Sequence, residues 1–285
     1  MPRFAYVDGR FVRHRDGAVH IEDRGLQFGD AVYEVCSVRD GILFDRAGHL
    51  ARLARSLKAL SIQAPLHDAS LMMVIRELMV RNKLRNGLIY LQISRGVAKR
   101  DHPFPKMSHA SIIITARSLD MSLGDTRADI GISVKSQPDI RWGRVDIKTI
   151  NLLPNVLAKQ AALDAGFGDA WLVDQNGYVT EGTAQNAWIV DQDEVLRTRP
   201  ADHAILQGIT RDTIIKVANQ SGYQFDERAF TLDEAKSARE AFITSATSFV
   251  TPVIRIDEAI IGAGVPGEIA INLRRRYLSE QKPVF

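Results

Sequence analysis

Turns of the Asp-Gly and Asn-Gly type constrain the fold of this sequence more than any other feature. Three such pairs lie between short runs of apolar residues: Asp8-Gly9, Asp40-Gly41 and Asn176-Gly177. These pairs readily adopt the positive φ values of tight hairpin turns, so each one predicts two antiparallel strands. Apolar residues also recur at helical spacing over residues 50–60 and 71–79. Hairpins combined with separate helices predict an α+β fold.

A polar stretch over residues 117–125 interrupts this pattern and predicts a domain boundary. The chain is long enough for two domains. We expect a small N-terminal α+β domain over residues 1–119 and a larger C-terminal domain over residues 120–285. In the second domain, alternation from Ile130 to Val134 predicts a strand. The basic run Arg274–Arg276 should form the solvated end of a final helix.

Composition excludes several classes of protein. Hydrophobic residues make up 45% of the chain and charged residues 25%, which is typical of globular proteins. The net charge is only +3, so nucleic-acid binding has no support. No apolar run approaches the roughly 18 residues needed to span a bilayer. The N-terminal residues lack the apolar core of a signal peptide. We therefore expect a cytoplasmic protein without a membrane partner.

Several familiar sites are absent from the sequence. It contains no Gly-x-Gly-x-x-Gly following a strand, no P-loop and no His-Glu-x-x-His, and we expect no metal. The single cysteine, Cys36, lies in an alternating strand pattern and should be a small buried hydrophobic residue.

Two residues and two short segments could carry chemistry. Lys148 lies among apolar residues, which would lower the pKa of its amine and favour Schiff-base chemistry; otherwise it points to solvent. Glu181 follows a predicted strand and could face a pyridine nitrogen, or be a surface residue beside a turn. Residues 208–210 begin a predicted helix, and its free amides could bind a phosphate. The alternative is an ordinary capped helix without a ligand. Residues 245–248 add hydroxyl groups.

Taken in order, these segments resemble the class IV aminotransferases, the fold-type IV group of pyridoxal-phosphate enzymes. Within that group the sequence is most similar to D-amino acid transaminases. The resemblance covers nearly the whole chain. It is carried by segments 22–35, 49–53, 146–160, 179–182, 208–211 and 251–254.

The resemblance implies a role for each matching position, with pyridoxal 5'-phosphate as the cofactor. Lys148 would hold the cofactor covalently and move the substrate proton, and Glu181 would pair with the pyridine nitrogen. Leu206 would pack on the pyridine ring. The remaining matches imply a phosphate site formed by Arg52, the amides of Ile209 and Thr210, and Thr247.

The loop over residues 95–105 resembles the Arg-x-His loop of the D-amino acid enzymes. Arg100 and His102 would then bind the substrate carboxylate together with Tyr33. In that family the loop acts from the neighbouring subunit, which implies a homodimer. Branched-chain aminotransferases and aminodeoxychorismate lyases share the lysine and phosphate segments without this pair. The alternative is a solvated basic loop.

The resemblance thus implies two domains, the second built on a β-barrel-like sheet, with the cofactor between them. The implied reaction transfers an amino group from a D-amino acid to a 2-oxo acid, for example from D-alanine to 2-oxoglutarate, by a ping-pong mechanism. Alternatives are an (R)-selective amine or branched-chain transaminase, an aminodeoxychorismate-type lyase, or a cofactor-free binding protein. Residues 183–186 replace a serine-rich run of the D-enzymes, and Ala246 replaces a threonine, so the substrate range is open.

Overall fold

In the computed structural model, which describes residues 3–280, the predicted turns at Asp8-Gly9 and Asp40-Gly41 both close hairpins of a first sheet. All its neighbouring strands are antiparallel, in the order β2-β1-β6-β5-β3-β4. The six strands are β1 (Phe4–Val7), β2 (Arg10–Arg13), β3 (Ala31–Arg39), β4 (Ile42–Leu43), β5 (Gly87–Ser94) and β6 (Ser111–Ser118). The two turn aspartates and their glycines have positive φ, as this turn type requires.

Helices pack against this first sheet. They are α1 (Arg24–Phe28), α2 (Arg46–Ala59) and α3 (Asp68–Asn82), and a short 3-10 turn covers His14–Asp16. Leu53 and Leu57 of α2 and Leu78 of α3 are buried in one apolar core with the strands. Asp23 caps α1 by accepting the amide N–H of Gly25 at 2.8 Å, and Gly29 ends that helix with a φ of 68°. The apolar residues that recur at helical spacing in the sequence are therefore residues that pack in the core.

A second sheet is mixed and has nine strands. Its order is β12-β11-β10-β13-β14-β7-β8-β9, with β15 paired to β14. The strands are β7 (Ile132–Pro138), β8 (Asp169–Val173), β9 (Val179–Gly182), β10 (Asn186–Val190), β11 (Leu196–Thr198), β12 (Phe225–Asp226), β13 (Glu240–Ser245), β14 (Phe249–Ile256) and β15 (Ala259–Ile260).

The second sheet must be curled. Only residues 183–185 join β9 to β10, although five strand spacings separate them in the sheet order. Five spacings in a flat sheet would measure about 24 Å. The four residue steps from Gly182, the end of β9, to Asn186, the start of β10, can span at most about 14 Å. This agrees with the barrel-like sheet that the resemblance implies and with a mixed α+β fold.

Five helices accompany the second sheet: α4 (Met121–Ile130), α5 (Leu153–Asp164), α6 (Ile209–Gln220), α7 (Leu232–Lys236) and α8 (Glu268–Glu280). Pro154 lies in the first turn of α5, where its missing N–H costs no hydrogen bond. Trp171 and Phe230 are fully buried in the core of this part of the chain.

Two local predictions are wrong. Ile130 is the last residue of α4 and 61% exposed, not part of a strand, because Gly131 ends the helix with a φ of 76° before β7 begins. The basic run does not end the final helix, which continues to Glu280. Arg275 and Arg276 are exposed, as predicted, but Arg274 is not: it donates to the carbonyls of Ser248 and Val250 and to Asp125.

Close packing groups the chain into two units. The first contains residues 3–121 together with Ile147–Asn151, and the second contains residues 122–146 and 152–280. The segment around Lys148 thus packs with the first unit, although the residues on both sides of it belong to the second. The predicted domains, 1–119 and 120–285, stay a prediction. Within residues 3–280, no helix has both the length and the apolar character needed to cross a membrane.

Candidate functional site

Lys148 lies in an extended segment that pairs with β3 in the first unit. Val32 and Thr149 form an antiparallel bridge, and the backbone N–H of Tyr33 donates to the carbonyl of Lys148 at 3.0 Å. The preceding residue, Ile147, is buried in the core. The backbone on both sides of the lysine is therefore fixed against β3 and the core.

The side chain of Lys148 is half-buried and faces an aromatic pair. Its Nζ lies 4.3 Å from the centroid of the Tyr33 ring, which stacks on Tyr90 at 5.7 Å. Burial and then the neighbouring Tyr33 raise the pKa of Tyr90 to about 12, so its hydroxyl stays protonated. That hydroxyl donates to Gln92 at 2.8 Å. The structure thus brings together two predicted site residues, Lys148 and Tyr33.

Arg52 is buried in α2 and paired with Glu34 of β3. Its Nε donates to one carboxylate oxygen at 2.7 Å and its Nη2 to the other at 2.8 Å, which is a bidentate pair. His49 contacts the same carboxylate at 2.7 Å. Burial alone would raise the pKa of Glu34, but Arg52 and His49 outweigh it and lower the pKa to about 2. Glu34, which sequence reasoning missed, fixes the orientation of the guanidinium.

Glu181 lies near the end of β9 in the second unit, the predicted strand end, and it is buried, so the alternative of a surface residue is wrong. The Asn186 side-chain amide donates to it at 3.0 Å. The backbone N–H of Leu206 lies 3.2 Å from both carboxylate oxygens, and the Leu206 carbonyl accepts from Asn186 at 2.8 Å. The structure thus brings Glu181 and Leu206 together, with Asn186 linking them.

Arg141 also binds Glu181, and sequence reasoning missed it. Its Nη1 donates to the Glu181 carboxylate, and it forms two further hydrogen bonds with Asp139. Burial alone lowers the pKa of Arg141, but Asp139 and Glu181 outweigh this effect and raise it. Burial likewise raises the pKa of Asp139, and Arg141 and Thr180 reverse the shift. Arg141 thus forms ion pairs with two carboxylates, those of Asp139 and Glu181.

The N-terminus of α6 has the features of a phosphate site. Gly208 precedes the helix in an extended conformation, and Ile209 and Thr210 begin it, so their amides have no carbonyl one turn back. Thr210 is 2% exposed, and its buried hydroxyl has no hydrogen-bond partner in residues 3–280. A Cβ on Gly208 would lie 1.9 Å from the side-chain oxygen of Asn186, so a larger residue there would displace the side chain that contacts Glu181 and Leu206.

Thr247 lies in the turn between β13 and β14. Its side chain is exposed, and its hydroxyl lies 3.3 Å from that of Ser245. The Ser245 hydroxyl also accepts the backbone N–H groups of Thr247 and Ser248. Thr247 is thus an exposed hydroxyl on an ordered turn, at the end of the strand against which α6 packs.

Arg100 and His102 meet at one aromatic ring. The guanidinium carbon of Arg100 lies 5.0 Å from the centroid of Phe28, and the His102 ring centroid lies 5.8 Å from it. Both side chains are exposed. The two predicted carboxylate-binding residues therefore contact the same ring, and Phe28 is a further residue that the sequence reading did not single out.

The segment that differs from the D-enzymes has a structural role. Thr183 donates its hydroxyl proton to Asp169 at 2.6 Å, and Gln185 donates to the same carboxylate at 2.8 Å. Lys159 also binds Asp169. Thr183 and Gln185 thus stabilise the start of β8, whereas Asn186, in the same segment, contacts Glu181.

Comparison with known proteins identifies the family. The family model for class IV aminotransferases matches residues 31–256, which include all these candidate positions. The chain belongs to this family. It is therefore an aminotransferase.

Relatives and solved structures agree with this assignment. The enzyme is 39% identical to a D-alanine aminotransferase of Bacillus licheniformis over 94% of this chain and 93% of the relative. It is 36% identical to one of Staphylococcus haemolyticus over 95% of each chain. A branched-chain amino acid aminotransferase of Escherichia coli superposes with a TM-score of 0.91 at 25% identity, covering 99% of this chain and 95% of that one.

The cofactor of this family is pyridoxal 5'-phosphate. A solved T.th. branched-chain amino acid aminotransferase holds the pyridoxamine form and matches with a TM-score of 0.90 at 27% identity, covering 98% of this chain and 94% of that one. The residues of this chain fit the group: an unpartnered buried hydroxyl and free helix amides suit a phosphate, and a carboxylate paired with an arginine suits a protonated pyridine nitrogen.

Proposed function

We propose that the enzyme transfers the amino group of D-amino acids to 2-oxo acids, for example from D-alanine to 2-oxoglutarate, giving pyruvate and D-glutamate. The observation that carries this proposal is the 39% identity, over nearly the whole chain, to a relative named D-alanine aminotransferase. The reaction runs by a ping-pong mechanism through the pyridoxamine form of the cofactor.

In this proposal, Lys148 holds the cofactor and moves the substrate proton at its Nζ. The bound cofactor supplies the electron sink for that proton transfer. The Tyr33 contact and the β3 pairing restrict the positions that Nζ can reach. This restriction should increase the rate of proton transfer, because the base loses little orientational freedom on reaching the transition state.

We propose roles for the remaining cofactor residues, and their contacts support these roles. Glu181, which is paired with Arg141, faces the pyridine nitrogen. Leu206 packs on the ring. Arg52, the amides of Ile209 and Thr210, and the Thr247 hydroxyl bind the phosphate, for which a guanidinium and a helix N-terminus are both suited.

Arg100 and His102 bind the substrate carboxylate, and Tyr33 contributes its hydroxyl. Their common position at Phe28 supports this role, because a guanidinium and an imidazole at one ring can converge on a single carboxylate. A fixed carboxylate leaves only one enantiomer able to direct its α-hydrogen to Lys148. We propose that this enantiomer is D.

We also propose that the enzyme is a cytoplasmic homodimer in which the loop carrying Arg100 and His102 serves the neighbouring subunit. The support is an exposed apolar surface on α5, where Leu153, Val156 and Leu157 are 67%, 58% and 55% exposed. Apolar patches of this kind are typical of protein–protein contacts. Analytical ultracentrifugation of the holoenzyme should give about twice the chain mass; a monomer would contradict this part of the proposal.

A half-reaction panel tests the function. The holoenzyme is mixed with D-alanine, L-alanine, D- and L-leucine, and an (R)-amine without a carboxylate, and cofactor absorbance is followed in single turnovers. We expect D-alanine to react at least about tenfold faster than L-alanine, which is about 1.4 kcal/mol of discrimination. A preference for L-leucine would instead identify a branched-chain aminotransferase, the activity named for the solved neighbour. A preference for the amine would identify an (R)-amine transaminase.

A further inference from the structure

The loop that carries Arg100 and His102 is tied to the first unit through its backbone. Arg24, at the start of α1, is 3% exposed. Its Nη1 donates to the carbonyl of Asp101 at 2.6 Å and its Nη2 to the carbonyl of His102 at 3.3 Å. One guanidinium thus holds two consecutive peptide groups, one of which belongs to His102.

Arg24 is itself held in place by an acidic residue. Its Nε donates to Asp30 at 2.9 Å. Arg95 binds the two oxygens of the same carboxylate at 2.7 and 3.0 Å. Burial by itself raises the pKa of Asp30, but hydrogen bonds from Arg95 and Arg24 outweigh it and lower the pKa, so the carboxylate stays charged.

Arg95 anchors the far side of the same loop. Its guanidinium carbon lies 3.6 Å from the ring centroid of Phe104, and its other donors bind the carbonyls of Leu60 and Ser61. The loop is therefore fixed on both sides of His102 by two arginines that share one aspartate.

Phe28 connects this anchor to the candidate carboxylate-binding groups. Arg24 lies 4.6 Å from the Phe28 ring centroid, and Arg100 lies 5.0 Å from it. The ring is thus in contact with the buried anchor and with the exposed side chain. Cation–π contacts of this kind restrict where an exposed arginine can lie.

We propose that Arg24 is a positioning residue for substrate carboxylate recognition, which fixes the peptide groups of Asp101 and His102 so that Arg100 and His102 are presented together at Phe28. This inference rests on the proposed carboxylate site. Arg24 does not bind the substrate; it acts through the loop.

Lysine at this position should keep the charge and lose the function. A lysine ammonium is a point charge that could still pair with Asp30, but it lacks the planar set of donors that reaches Asp30 and two carbonyls at once. Arg24→Lys should therefore free the loop backbone while leaving Asp30 paired with Arg95.

The first measurement compares substrates with and without a carboxylate. Single turnovers of the Arg24→Lys holoenzyme are followed with D-alanine and with D-alaninol, in which a hydroxymethyl group replaces the carboxylate. We expect the apparent second-order rate constant for D-alanine to fall about tenfold and that for D-alaninol to change by less than about twofold. The matched control is Arg197→Lys, since Arg197 is another arginine with several partners: it bridges two carboxylates, those of Asp191 and Asp226, in the second unit. It should change neither rate.

A double-mutant cycle tests whether Arg24 acts through Arg100. In an Arg100→Ala background, Arg24→Lys should lower the rate constant for D-alanine by about threefold or less, and not by about tenfold, because only His102 is then left to be positioned. Equal losses in both backgrounds would overturn the proposal, as would an equal loss with D-alaninol. Hydrogen exchange gives a readout independent of activity: amides of residues 97–110 should exchange faster in Arg24→Lys than in wild type, with other peptides unchanged.

Failure of the proposed function would give a different result. If the wild type prefers L-alanine, the D-amino acid assignment is wrong, and the same cycle is then run with L-alanine and L-alaninol. The role of Arg24 stands or falls on the coupling to Arg100, whichever enantiomer reacts. Unchanged loop exchange in Arg24→Lys would reject the anchor itself.

Discussion

Lys148 is held to Tyr33 at two points. The Tyr33 backbone N–H donates to the Lys148 carbonyl at 3.0 Å, and the lysine Nζ lies 4.3 Å from the centroid of the tyrosine ring. Strand β3 thus places both the backbone and the side chain of the residue on which the proposed chemistry depends.

Replacing this lysine should remove almost all activity. Lys148→Ala should lower turnover by roughly a hundredfold to ten-thousandfold, the contribution typical of a positioned acid–base group. Borohydride reduction of the wild-type holoenzyme, followed by peptide mass spectrometry, should find the cofactor on Lys148. Lys159→Met is the control. Lys159 binds Asp169 and has no proposed role in the reaction, so this variant should retain turnover. A label on Lys159 would refute the assignment.

Glu181→Gln removes a charge and preserves size. Arg141 keeps its partner Asp139, so we expect the protein to fold and to retain cofactor. The pyridine nitrogen would lose its anionic partner, and proton abstraction should slow by about tenfold or more, or at least about 1.4 kcal/mol. Single turnovers with D-alanine measure this step. The role fails if the rate is unchanged while cofactor occupancy is full.

Arg52 should contribute to cofactor retention. Losing one charge-assisted hydrogen bond typically costs roughly 1.5–3 kcal/mol, so Arg52→Ala should weaken pyridoxal phosphate binding by about ten- to a hundredfold. Equilibrium dialysis of the apoenzyme measures the affinity. The double variant Arg52→Ala/Glu34→Gln is the control, because it avoids leaving a buried carboxylate without its cation. Wild-type affinity in both variants would show that Arg52 does not bind the phosphate.

Glu34 should make stability depend on acid pH. Its folded pKa of about 2 lies below its ordinary value of 4.5. The stabilisation is therefore fully present above pH 4.5 and is lost as the pH falls towards 2. A shift of this size corresponds to about 3 kcal/mol. The difference in unfolding temperature between wild type and Glu34→Gln should be larger at pH 6 than at pH 3; a constant difference would contradict the ion pair.

Arg100→Ala should separate substrates by their carboxylate. Without the guanidinium, the D-alanine half-reaction should slow by about tenfold or more, whereas a carboxylate-free (R)-amine should be affected much less. Stopped-flow absorbance of the cofactor gives both rates. Equal slowing of both substrates would mean that Arg100 does not recognise the carboxylate.

Much of the fold could be predicted because its signals are local. The Asp8-Gly9 turn and the leucines of α2 specify their elements through backbone conformation and residue spacing. The errors arise where tertiary contacts decide. Arg274 is in a basic run on a helix, and no local pattern reveals that it binds two carbonyls of β14 and its preceding turn.

The candidate site likewise combines residues with local sequence signals and residues that only tertiary contacts reveal. Lys148 and Glu181 belong to segments with recognisable neighbours, but Arg141 does not. It reaches Glu181 only because β7 and β9 flank β8 in one sheet, a relation between residues 40 positions apart. Glu34 and Arg24 were missed for the same reason, since each matters through a partner distant in sequence.

The burial of Cys36 has a practical consequence for studying the loop. It is the chain's one cysteine, and burial raises the pKa of its thiol, so thiol reagents at neutral pH should leave it unmodified. Met107, on the loop anchored by Arg24 and Arg95, is 87% exposed. The single substitution Met107→Cys would therefore give a uniquely labelled enzyme whose fluorophore reports loop motion during each turnover.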